Sequence, residues 1–230
     1  MNTVGIIGGI GPESTIEYYR LIISSFLERE KNGNYPRIII NSINMKKMLD
    51  LIGENRLEKV TDYLVSEIQK LASAGADFAL FASNTPHIVF DQINKVSPMP
   101  LISIVEATCE NAMGKGLQRV GLFGTKFTMQ GGFYDRIFSD HGITVISPQE
   151  KDQDYIHEKY MGELVKGILR DDTKNELLNI ANKLRDSDGI QALILGGTEL
   201  PLILKETDAD KMDFLDTTRI HVESIMKRLS

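Results

Sequence analysis

The sequence predicts an α/β protein made of two similar lobes, each a parallel sheet covered by helices, and three observations predict it. Short β-branched runs alternate with helical patterns along the whole chain, the signature of βαβ units. The strand candidates read as near-continuous apolar runs, as expected where helices cover both faces of a sheet. The chain also repeats itself. TVGIIGGIGPESTIEYY (3–19) is echoed by RVGLFGTKFTMQGGFYDRI (119–137), and GADFALFASNT (75–85) by DGIQALILGGT (188–198). Val4 then aligns with Val120, and Ser83 with Gly197, at nearly one offset.

The elements follow in order. Strands are expected at 3–7, 37–43, 77–82, 101–104, 119–123, 144–147, 192–195 and 213–215. After the first strand, Ile16, Tyr19, Ile23 and Phe26 put one apolar stripe on a helix. Leu57, Val60, Leu64, Ile68 and Leu71 do the same before the third strand. Ser97-Pro-Met-Pro100 is the best boundary signal, because paired prolines cannot continue a helix. The predicted lobes are residues 1–100 with 210–230, and residues 101–209. The last helix, near 216–229, is expected to pack back on the first lobe.

Composition narrows the function classes. The 230 residues are 42% hydrophobic and 25% charged, an ordinary globular balance. A net charge of −6 without any Lys/Arg run argues against nucleic acid as a partner. No apolar stretch approaches the ~18 residues that a membrane helix needs, and the N-terminus shows no leader pattern. One cysteine, Cys109, leaves no intrachain disulfide and fits a cytoplasmic location.

In an open parallel sheet, ligands bind beyond the carboxyl ends of the strands. Four loops have that placement: 8–14, 83–87, 124–128 and 196–200. With pseudo-twofold related lobes, all four line one cleft, and Ser83 and Gly197 face each other across it. GGIGPES (8–14) is not a dinucleotide fingerprint, since Ser14 falls where the last glycine belongs. It is either a tight turn with a capped helix or an anion site at a helix N-terminus. Asn84 and Thr85 offer an amide and a hydroxyl to a carboxylate, or simply cap the turn ahead of Pro86. The partner loop 196–199, GGTE, makes a divided ligand site the more attractive reading. His87, His141, His157 and His221 lack metal-ligand spacing, so no metal is expected. Cys109 reads as a buried inert thiol inside a helix, the acidic stretch 150–158 as a solvated face, and Lys166 as part of an amphipathic helix.

Several of these stretches, in fixed order, carry a family resemblance: VGIIGGIGPEST, GADFALFASNTPH, ISIVEAT, VGLFGTKFTMQGGFY, QDYIHEKYMGELVKGI, ALILGGTELPLIL and FLDTTRIHVE. The chain resembles the aspartate/glutamate racemase family, in its aspartate racemase and broad-specificity amino-acid racemase branch. The resemblance implies an isomerase that needs no cofactor and no pyridoxal phosphate, two α/β lobes with the site between them, and a homodimer. It implies two-base proton exchange at an amino acid's α-carbon, with one thiol on each face. A thiol of reference pKa about 8.5 suits that double duty.

Here Ser83 and Gly197 stand where the resemblance puts those two cysteines. An alcohol is a much weaker acid than a thiol, and glycine has no side chain. Ile10, Asn84, Thr85, Thr125, Thr128, Thr198 and Glu199 match substrate-binding positions, and Lys166 matches a lysine near an acidic substrate side chain. Ile52 departs from the pattern, and Lys46 or Lys47 is the replacement cation. The substrate expected is an amino acid or dicarboxylate. The alternatives are a degenerate amino-acid or carboxylate-binding protein on the same fold, and a lyase or decarboxylase.

Overall fold

The computed structural model describes residues 1–31, 33–208 and 212–229. Contacts divide the chain into two compact units, Met1–Ile104 with His221–Ser230, and Val105–Ile220. The expected boundary between 209 and 210 lies outside the described residues, but the strand Asp213–Asp216 and the start of the helix Thr217–Leu229, expected in the first lobe, fall in the second unit because that strand pairs with Ala192–Leu195.

The first unit runs β1 (Thr3–Gly8), α1 (Pro12–Arg29), β2 (Arg37–Ser42), α2 (Met45–Gly53), α3 (Leu57–Ser73), β3 (Phe78–Phe81), a 3-10 turn at Thr85–Val89, α4 (Phe90–Val96) and β4 (Leu101–Ile102). The helix α5 (Ile104–Gly114) then leads into the second unit. There follow β5 (Arg119–Phe123), α6 (Lys126–Gln130), α7 (Phe133–Ser139), β6 (Thr144–Ile146), α8 (Glu150–Gly162), a 3-10 turn at Leu164–Lys166, α9 (Asp171–Asp188), β7 (Ala192–Leu195), α10 (Leu200–Ile203), β8 (Asp213–Asp216) and α11 (Thr217–Leu229).

All eight expected strands are present, and every pairing is parallel. The sheets have the orders β2-β1-β3-β4 and β6-β5-β7-β8, the same order four strands apart, as the repeat requires. The central strands β1, β3 and β7 are buried throughout, and β5 is buried beyond its first residue.

Because side chains alternate along a strand, each face of β1 meets a different layer. Val4 and Ile6 pack with Phe78, Leu80 and Ala82 of β3 against Tyr18, Leu21, Ile22 and Phe26 of α1, and against Val222, Ile225, Met226 and Leu229 of α11. The last helix thus completes the first unit's core. On the other face, Gly5 lies beneath Leu71 of α3, where a Cβ would approach its Cδ1 to 3.0 Å.

Two helical expectations need correction. The stripe Ile16–Tyr19–Ile23–Phe26 is not the buried face of α1. Ile16 is 61% and Tyr19 49% exposed, and the buried set is Ser14, Tyr18, Leu21, Ile22 and Phe26. The helix is turned by its polar anchors. Tyr18 donates its hydroxyl to His221 Nδ1 at 2.7 Å, and Ser14 donates to the Ala82 carbonyl at 2.7 Å. Lys166 is not on a helix of α8 type either. That helix stops at Gly162, Glu163 leaves helical geometry, and Gly167 at φ 71° closes the 3-10 turn that carries Lys166.

Candidate active site

Ser83 and Gly197 each lie two residues beyond the end of a central strand, β3 and β7. In the first unit Ser83, Asn84 and Thr85 are all buried. Asn84 heads the 3-10 turn, yet its side chain makes no capping bond, so capping does not account for it. No base is hydrogen-bonded to the Ser83 hydroxyl among the described residues.

His87, on the same turn, donates from Nδ1 to the Asn84 carbonyl at 3.2 Å and stacks on Phe90 at 4.7 Å. Burial, then the neighbouring His221, pushes its pKa down to about 3, so the ring is neutral near pH 7. His221 is likewise buried and lowered to about 4. Its Nε2 donates to the Ile102 carbonyl at 3.1 Å, which leaves Nδ1 as the acceptor for Tyr18. Both histidines are structural.

The loop after β1 has buried Ile10 between two glycines of positive φ, Gly9 at 74° and Gly11 at 92°. At Gly9 a Cβ would sit 2.5 Å from the Ile43 carbonyl, so only glycine fits there. The Gly9 amide donates to Thr15 Oγ1 at 2.9 Å. Lys46 pairs with Asp50 at 2.6 Å, and Lys47 lies 4.1 Å over the Tyr63 ring.

In the second unit, Thr125 is the N-cap of α6, accepting from the Thr128 amide at 3.2 Å, and the two hydroxyls lie 3.1 Å apart. Capping accounts for Thr125. His157, on α8, accepts the Lys126 amide at 3.1 Å, and burial lowers its pKa. Lys166 is exposed. Cys109, on α5, is buried, and burial raises its thiol to about 11, with Glu110 adding to the rise.

The loop after β7, whose Gly197, Thr198 and Glu199 were expected in the site, meets a residue that the sequence did not single out, Tyr160 of α8. Glu199 is 1% exposed, and its Oε2 accepts hydrogen bonds from Thr198 at 2.9 Å and from the Tyr160 hydroxyl. Tyr160 is buried and comes from the last turn of α8. Its ring fills the space beside Gly197. A Cβ built there would meet Tyr160 Cε2 at 2.3 Å, Cζ at 2.9 Å and Oη at 3.1 Å. Gly197 does not have the positive φ that excludes a side chain; Tyr160 excludes it. Burial first, then the Glu199 charge, raises the phenol's pKa well above 10. The available signal was indirect: the resemblance implies a side chain at position 197, and a glycine there leaves volume for a neighbour.

Among the described residues, no group of three or more His, Cys, Asp or Glu is arranged to hold a metal, and no helix is long and apolar enough to cross a membrane.

Comparisons with known proteins agree over nearly the whole chain. An aspartate racemase homologue from Pyrococcus horikoshii OT3 superposes with a TM-score of 0.85 at 34% identity, covering 100% of this chain and 99% of that one. A Picrophilus torridus aspartate racemase shares the fold, with a TM-score of 0.80 at 24% identity, over 100% and 94% of the two chains. The Bacillus subtilis broad-specificity amino-acid racemase RacX is 26% identical over 147 residues, 62% of this chain and 63% of RacX. The match thus spans less than two thirds of that relative. The family profile described as Asp/Glu/Hydantoin racemase matches residues 7–225. With two identically ordered parallel sheets and a profile match that spans both, the chain belongs to the Asp/Glu/hydantoin racemase family.

Proposed function

We propose that this protein is an amino-acid isomerase acting at the α-carbon of a small amino acid or dicarboxylate. The observation that carries the reading is the burial of Ser83, Asn84 and Thr85 after β3, and of Thr198 and Glu199 after β7. Polar groups are rarely buried without a use, and the carboxyl ends of parallel strands are where such folds bind ligands. In the first unit, Asn84 and Thr85 hold the substrate carboxylate. In the second unit, Thr128 and Thr198 are the further candidates for the carboxylate and amino group, and Lys166 attends an acidic side chain. Family membership supports the reaction class. The family resemblance supports the remaining parts: no resident cofactor, a homodimer, and a cytoplasmic location.

Ser83, on this reading, stands on one face of the α-carbon. Proton exchange demands a group that alternates between acid and base near neutral pH, and an alcohol alone does so poorly. That observation favours a second reading, a binding protein without turnover. One experiment separates them. The protein is incubated in deuterated buffer with each enantiomer of aspartate, glutamate, alanine and serine, and α-proton loss is followed by NMR. Exchange with any of them supports the isomerase. Melting-temperature shifts with no exchange leave the binding protein.

A further inference from the structure

A hydroxyl and a carboxylate buried together usually satisfy each other and nothing more. Two features set Tyr160 and Glu199 apart. Glu199 lies in the loop beyond the carboxyl end of β7, where ligand groups are expected, and Tyr160 of α8 reaches into that loop to bond it. And the ring occupies the volume that a side chain at 197 would need, with its oxygen 3.1 Å from that missing Cβ. The phenol therefore brings a proton-bearing atom to where residue 197 has none.

We infer that Tyr160, held by Glu199, is a catalytic proton carrier that takes the role of the absent side chain at 197. The inference rests on the proposed isomerase reading. The step balances without a free phenolate. As the α-carbon C–H bond breaks, its proton bonds to the Tyr160 oxygen. The phenol's own proton passes along the existing hydrogen bond to Glu199 Oε2, and the electron pair stays on the substrate as an enolate. Return of a proton runs the same path backwards. The negative charge resides on the carboxylate or on the substrate, never on the tyrosine alone. That matters because burial and the adjacent carboxylate hold the phenol far from ionising near pH 7. Thr198, donating to the same Oε2 at 2.9 Å, fixes the carboxylate's orientation. Glu199 acts through Tyr160 and is a positioning residue.

The test uses the full chain and the same amino acids in deuterated buffer. Tyr160→Phe keeps the ring and removes the carried proton; exchange should fall at least 100-fold while ligand-induced melting shifts persist. Glu199→Gln should lower exchange as strongly while the amino-acid concentration at half-maximal rate stays within about threefold, a split that a merely structural role would not give. Tyr155→Phe, one turn earlier on α8, should stay within about twofold of wild type. Should Tyr160→Phe fold poorly, the Glu199→Gln split between rate and half-saturation decides. Wild-type exchange with Tyr160→Phe within about threefold overturns the relay and leaves the isomerase standing. A wild type that exchanges with none of these amino acids overturns the isomerase reading, and the relay with it.

Discussion

Replacing Gly197 by alanine puts a methyl carbon 2.3 Å from Tyr160 Cε2, more than 1 Å inside normal contact. The backbone cannot relieve this, because Gly196 donates its amide to the Phe123 carbonyl at 2.7 Å and Leu200 donates to the Gly197 carbonyl at 2.9 Å. The tyrosine must withdraw. Overpacking of a filled interior costs about 1–3 kcal/mol. Pulling the hydroxyl from a buried carboxylate costs about 1–3 kcal/mol more. At about 2–4 °C per kcal/mol for a chain of this size, the melting temperature should drop by roughly 10 °C. Tyr160→Ala alone should cost about 3–5 kcal/mol through the cavity it leaves. In that background Gly197→Ala should cost nothing, since the methyl enters vacated space. The assay is a double-mutant cycle by urea unfolding, with an expected coupling of about 2 kcal/mol or more. Additivity within about 0.5 kcal/mol would refute the steric account, as would Gly197→Ala melting like wild type.

Acid should destabilise the fold through two buried histidines. His87 and His221 have folded pKa values of about 3 and about 4, below the unfolded value near 6.5, so the unfolded chain binds more protons in between. Their contribution is complete above pH ~6.5 and is lost as pH falls toward 4. Between pH 7.5 and 5 each should cost at most about 2 kcal/mol, read as a lower urea midpoint; a midpoint flat over that range contradicts the assignment. Tyr18→Phe removes the donor to His221 Nδ1 and should cost about 1–3 kcal/mol by thermal unfolding. Cys109, buried with its thiol raised to about 11, should resist a disulfide reagent in native buffer at pH 8 and react fully in urea; rapid native labelling would contradict its burial.

Local signals carried most of the fold. Eight apolar runs, read by β-branching and alternation with helices, became eight strands, and the internal repeat foretold two sheets of one strand order. The failures came from distance. Nothing in residues 12–29 tells that Tyr18 meets His221, and that bond turns α1 so that Ile16 and Tyr19 face solvent. Lys166 left its helix because Glu163 breaks helical geometry just after Gly162, and Gly167 then closes a separate 3-10 turn, a break the helical pattern does not register. The Tyr160–Gly197 pair is the hardest case. Its partners lie on different elements, and each is unremarkable alone: a tyrosine on an acidic helix, a glycine in a turn. Only the steric exclusion between them shows that one explains the other.

The core shared by β1, β3, α1 and α11 has a consequence for synthesis. Its last members, Val222, Ile225, Met226 and Leu229, are translated after every residue of the second unit. A nascent chain can therefore finish its second unit while the first still lacks a wall, reversing the usual amino-terminal-first order. Until then Val4, Tyr18 and Phe78 lack the cover that α11 gives them. A stop codon that removes the last ten residues would leave them uncovered for the lifetime of the molecule.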